Sequence, residues 1–96
     1  MLVLITYDVA TTDSGGQKRL RKVAKECSNY GQRVQNSVFE CVLNNAQYVM
    51  LKKSLEDIID GSVDTVRFYL LGNNWEGKVE HIGTDSSINV MSELII

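Results

Sequence analysis

One carboxylate in this chain stands where a folded protein could put it to chemical use. Asp8 follows the apolar run Leu2-Val3-Leu4-Ile5 and precedes the turn-rich stretch Thr11-Thr12-Asp13-Ser14-Gly15-Gly16. A strand that ends in an acid and opens onto a turn presents that acid from a rigid scaffold. A single carboxylate is a poor Mg²⁺ site, because the ion wants six oxygens. It can nevertheless keep several waters and take one or two carboxylates together with substrate phosphate oxygens. A two-fold axis passing near Asp8 would supply the second carboxylate from a partner chain. Such a pair could hold a metal that polarises a phosphodiester. Spacing alone equally suits a strand-end Asp that caps the following turn.

A second group of residues could bind phosphate. Lys18, Arg19, Arg21, Lys22, Lys25 and Arg33 are six of the ten basic residues and fall between positions 17 and 33, with Glu26 as the one opposing charge. Acids collect elsewhere, as in Glu56, Asp57, Asp60 and Asp64, so a net charge of −2 conceals a basic patch. Lys and Arg attract phosphates without sequence preference; the same residues also suit a solvated helix face. Gly15-Gly16 does not match a Walker loop. His81 is the single histidine and has no Cys or acidic ligand pattern around it, so a structural or surface role fits it better than a histidine metal cage or a Ser-His-Asp triad. Trp75 suits packing over a core edge as well as stacking on a base. Cys27 and Cys41 read as small buried hydrophobes with reduced thiols, which points to the cytoplasm.

The elements that must position these residues follow from periodicity. At 96 residues, 44% of them hydrophobic and 23% charged, the chain reads as one soluble domain over residues 1–96. No apolar run approaches the roughly 20 residues of a membrane helix, and the apolar N-terminus lacks the basic n-region of a signal peptide. Residues 2–8 form a strand apolar on both faces, as a central strand would be. Ser14-x-x-Gln17 suggests a capping box for a helix running to about Tyr30, with Gly31 placed to end it. Its Leu20, Val23, Ala24 and Cys27 form a buried stripe, with Lys18, Arg21, Lys22 and Lys25 opposite and Arg19 on the flank. Residues 32–43 are extended, and a change of phase between Val34/Val38 and Phe39/Cys41/Leu43 suggests a bulge or bend near Ser37.

Asn44-Asn45 caps a second helix with Tyr48, Leu51, Leu55, Ile58 and Ile59 as its stripe and Gly61 as its stop. Strands follow at 65–71 and 78–82, the second stopped by Gly83, with a Gly72-Asn73-Asn74 turn between them. Residues 87–90 alternate like one more short strand before the apolar Leu94-Ile95-Ile96. The fold class is α+β: a ferredoxin-like, β-α-β-β-α-β order plus a C-terminal strand. Two helices cover one face of such a sheet. The second apolar face of strand one therefore predicts a homodimer, with the tail of about 84–96 laid against the partner protomer.

Taken together, Leu2-Val3-Leu4-Ile5-Thr6-Tyr7-Asp8-Val9, Lys18-Arg19-Leu20-Arg21-Lys22-Val23-Ala24 and Tyr30-Gly31-Gln32-Arg33-Val34-Gln35-Asn36-Ser37-Val38-Phe39-Glu40 resemble one family. It is the Cas2 family of small CRISPR-associated endonucleases, the lesser of the two core spacer-acquisition proteins. Arg67-Phe68-Tyr69-Leu70-Leu71-Gly72 and Val79-Glu80-His81-Ile82-Gly83 extend the likeness over nearly the whole chain. The resemblance implies a ferredoxin-like homodimer whose C-terminal strand packs on the partner's sheet. It implies that Asp8 faces its symmetry mate as a Mg²⁺ (or Mn²⁺) ligand for cleaving RNA or DNA phosphodiesters. By motif position it implies that Tyr7 stands with Asp8 in the catalytic site, and that Arg19, Arg21, Arg33, Ser37 and Phe39 assist substrate binding or shape the site. It further implies that the dimer bridges the CRISPR integrase on spacer DNA. A non-catalytic DNA-binding scaffold of the same adaptation complex is the competing expectation. A single-strand RNA-binding domain of the same topology fits less well, because Val66-Arg67-Phe68-Tyr69-Leu70 lacks the glycines of the RNP1 pattern. A small-molecule regulatory domain finds no residue to support it.

Overall fold

A computed structural model describes residues 1–71 and 78–84. The elements are β1 (Leu2–Asp8), α1 (Gly16–Ser28), β2 (Gly31–Gln35), β3 (Val38–Val42), α2 (Asn45–Ile58), β4 (Thr65–Leu71) and β5 (Lys78–Gly83). They build one antiparallel sheet in the order β2-β3-β1-β4-β5. The four strands β2-β3-β1-β4 with the two helices make the ferredoxin-like α+β unit, and β5 extends it beyond β4. The turn at 72–74, Trp75, and the tail from 85 onward lie outside the described residues.

β1 is central because its residues can be buried between two neighbours. Val3, Ile5 and Tyr7 alternate toward the helices, with Val9 just beyond the strand, and all four are buried. They meet Phe39 and Cys41 of β3, Val66 and Phe68 of β4, Val23 and Cys27 of α1, and Leu51 and Leu55 of α2. Full burial of a Leu, Val or Phe side chain contributes about 1.5–3 kcal/mol, so this layer holds the sheet and helices together. On the opposite face Leu2 and Leu4 are half-buried, while Val42 beside Leu2 is 75% exposed. Among the described residues, no helix is long and apolar enough to cross a membrane.

Several local expectations need correction. Residues 32–43 are not one bent strand but a hairpin, and this supplies the second and third strands of the β-α-β-β-α-β order, which a single strand there would not: β2 and β3 pair antiparallel around Asn36 and Ser37, and the register shifts between Arg33 and Gln35. The bulge and the turn together produce the phase change. Ser14 forms no capping box, since α1 starts at Gly16 with Gly15 as N-cap and no side-chain cap. Asp13 takes that place, its Oδ1 accepting from Gly15 N (2.9 Å) and its carbonyl from Gly16 N (3.3 Å). Gly31 does not stop α1, which ends at Ser28; it opens β2. A Cβ at Gly31 would overlap the Glu40 carbonyl oxygen, so glycine is needed there for close strand pairing. The Asn44 cap of α2 stands as expected: Asn44 Oδ1 accepts from Gln47 N (2.8 Å) and Gln47 Oε1 accepts from Asn44 N (2.9 Å). That helix ends at Ile58, short of Gly61, with Ile59 already extended.

Candidate active site

The end of β1 places Tyr7 and Asp8 on opposite faces of the sheet, as adjacent strand residues must be. Asp8 is exposed and lies across from Thr65 of β4. Its backbone is fixed on both sides. Tyr7 N donates to Ser37 O in the β2–β3 turn (3.1 Å), and Ala10 N donates to Asp64 Oδ1 (3.0 Å).

Tyr7 belongs to a stack on the helix side. Its ring lies 6.1 Å from Phe39 at an interplanar angle of 26°, and the Arg33 guanidinium sits 5.3 Å above the Phe39 ring. The Tyr7 hydroxyl donates to Asn36 O (3.3 Å). Burial raises the phenol above its ordinary value, and nearby Arg33 partly offsets this. Tyr7, Ser37 and Phe39 are therefore brought together, and they set the position of the β1 end from behind. The phenol itself does not share Asp8's face.

The six basic residues do not form one group. Lys18, Arg21, Lys22 and Lys25 are exposed along α1, and among the described residues none is in a salt bridge. Lys25 and Arg33 flank a shallow depression of about 370 Å³ whose other walls are Ala24, Ser28 and Phe39. Arg19 is different. Its Nε donates to Asp64 Oδ2 (2.8 Å), and its Nη2 donates to Asp13 Oδ2 (3.1 Å) and Ala10 O (3.3 Å). Its side chain is 17% exposed and that of Asp64 is fully buried. The two carboxylates push the Arg19 guanidinium further up, and Arg19 in turn holds the Asp13 carboxyl below its usual range.

Asp64 is the residue that sequence reasoning missed, since it stands only as one of the acids that collect away from the basic patch. Its carboxylate gathers Ala10 N, Arg19 Nε and Asp60 N (2.8 Å), joining the exits of β1 and α2 to the first turns of α1. A buried charge is tolerated when it is paired and hydrogen-bonded in this way. The one signal available was an acid directly before an apolar strand.

Among the described residues, no group of three His, Cys, Asp or Glu side chains could hold an ion. Cys27 and Cys41 are free thiols in the core, pushed up by burial to about 12 and about 11, and supply no thiolate ligand. His81 is exposed on β5.

Comparison with known proteins decides the family. The model of CRISPR associated protein Cas2 matches residues 1–79. This chain belongs to the Cas2 family. Within it, the chain is 60% identical over 95 residues to a CRISPR-associated endonuclease Cas2 of Halalkalibacterium halodurans, covering 99% of each chain. It is 53% identical to a CRISPR-associated endoribonuclease Cas2 of Nitratidesulfovibrio vulgaris, covering all of this chain and 94% of that one. The crystal structure of Streptococcus pyogenes Cas2 superposes with a TM-score of 0.71 at 58% identity, over 86% of this chain and 100% of that one. The Cas2 fold expected from the sequence is thus the fold observed.

Proposed function

We propose that this Cas2 family member is a metal-dependent endonuclease of CRISPR adaptation, acting as a homodimer with Asp8 of both copies at its centre. The observation that carries this reading is the exposed Asp8 carboxylate at the end of the central strand, its backbone fixed on either side. The names of the relatives, endonuclease and endoribonuclease, point the same way. One Asp8 from each chain, several waters and the substrate's phosphate oxygens would make a donor set suited to Mg²⁺, or to Mn²⁺ in its place. When bound there, the ion would lower the pKa of its water and offset charge on the phosphodiester. The chain's own residues do the rest. Lys18, Arg21, Lys22 and Lys25 attract the backbone of duplex DNA or single-stranded RNA, while the Tyr7–Phe39–Arg33 stack and Ser37 hold the β1 end. The free thiols of Cys27 and Cys41 suit the cytoplasm.

The test is cleavage of RNA and of duplex DNA by the purified protein with Mg²⁺ or Mn²⁺. Asp8→Ala should lower the rate at least about a hundredfold, since metal stabilisation of several kcal/mol is lost, and EDTA should do the same. Cleavage that survives both controls would sink the assignment.

The exposed α1 row supports a second reading, in which the dimer holds spacer DNA for the CRISPR integrase without cutting it. Normal spacer acquisition in cells carrying Asp8→Ala would favour that scaffold over catalysis.

A further inference from the structure

Ala10 stands two residues beyond Asp8, and both of its backbone polar groups are taken by side chains from distant parts of the chain. Its N–H donates to the buried Asp64 carboxylate and its carbonyl accepts from Arg19 Nη2. Arg19 and Asp64 are joined to each other at 2.8 Å, and Asp13 closes the far side of the guanidinium. Gly16 presses the start of α1 onto the same spot, since a Cβ there would overlap the Ala10 carbonyl oxygen. Val9, between Asp8 and Ala10, is buried. The chain leaving Asp8 therefore has no freedom to relax in the direction of the turn.

We propose that Asp64 and Arg19 are positioning residues for Asp8: together they clamp the Ala10 backbone, and the clamp occupies Arg19 so fully that it is not a phosphate contact. The proposal rests on the nuclease reading for its catalytic consequence and on geometry alone for the clamp. A paired metal site tolerates little displacement of its carboxylates, because misplacement of a reacting group by about 1 Å can cost on the order of a hundredfold in rate. Asp8 touches the reaction; Asp64 and Arg19 would act only through it.

Three measurements on the full chain test this. First, amide exchange by NMR on Asp64→Asn and Arg19→Lys should show the Ala10 amide accelerated at least about tenfold more than the amides of Val3 and Ile5 in β1, which follow the global loss of stability. Should Asp64→Asn fail to fold, Arg19→Lys carries the same measurement. Unchanged Ala10 protection in a folded variant overturns the clamp. Second, the charge-neutral double variant Arg19→Gln/Asp64→Asn should keep the wild-type slope of log K for duplex DNA against log salt, whereas Lys22→Gln lowers that slope by about 0.9. A loss of the same size in the double variant makes Arg19 a phosphate contact and overturns that part. Third, kcat for cleavage should fall about tenfold or more in Asp64→Asn with KM within about twofold. Wild-type kcat alongside accelerated Ala10 exchange rejects positioning. If the wild-type protein itself does not cut, the nuclease reading fails, while exchange and salt slope still decide the clamp.

Discussion

Arg19 and Lys22 lie three residues apart on one helix, carry the same charge, and have opposite fates. Lys22 projects into solvent with Lys18, Arg21 and Lys25. Arg19 turns inward, where Asp64 and Asp13 take its guanidinium. Exposed ion pairs contribute little because water and salt screen them, so the outer row is free to exchange solvent for phosphate. The inner pair is expensive to break, because removing one member leaves an uncompensated buried charge. A run of basic residues therefore says little until each one's partners are known. Here the run divides into an exposed row and a tie between the exits of β1 and α2.

The contrast should appear most strongly in stability. Asp64→Ala strips Arg19, Ala10 and Asp60 of a shared acceptor and should cost about 3–5 kcal/mol. For a domain of this size that is a fall in Tm on the order of 15 °C or more. Lys22→Ala should move Tm by no more than a few degrees, as surface substitutions do. Urea unfolding of both variants checks this, and similar midpoints would erase the distinction between the two sites.

Gly16→Ala is the intermediate case, because it leaves every charge in place and disturbs only the fit. The added Cβ meets the Ala10 carbonyl and lies 2.7 Å from Thr11 Cα, both backbone, so the start of α1 must shift. The expected cost is about 1–3 kcal/mol, against the usual gain from Gly→Ala in a helix. A stabilised variant in denaturant titration would mean that the loop is free to move and the clamp is loose.

The sequence made the outer row visible because it is a matter of local spacing: a 3.6-residue period separates Val23 and Cys27 from Lys22 and Lys25 whatever else the chain does. Asp8 was visible for a similar reason, at the end of an apolar run. The boundaries of β1 and β4 and the Asn44 cap were legible in the same way. The clamp was not legible, because Arg19 and Asp64 are 45 residues apart and meet only once β1 and β4 have paired. Nor does periodicity reveal that a lone acid between Val63 and Thr65 points inward. The failed Ser14 cap has a related cause: Asp13, already held by Arg19, satisfies the helix start instead. The resemblance placed Arg19 among substrate-binding residues, and only the geometry gives it a different set of partners.

The smallest effect should come from the exposed rim of the same network. Asp13 is half exposed, and its carboxyl is held below its usual range first by hydrogen bonds from Arg19, against a desolvation cost, and then by the Gly15 amide. A carboxyl depressed in the folded state stabilises the fold above its unfolded value and loses that contribution as pH falls through the folded one. Wild-type stability should therefore decline as pH drops below 3.8, and Asp13→Asn should flatten part of that decline. At neutral pH the variant should be only slightly less stable, because the amide oxygen still accepts from Gly15 N. Asp60 is depressed as well, by the Ser62 hydroxyl and amide, so some acid dependence must persist in the variant. Thermal unfolding of both proteins between about pH 2 and 7 checks this. Superimposable acid limbs would mean that Asp13 does not share in holding Arg19, and that Asp64 and the Ala10 carbonyl hold it alone.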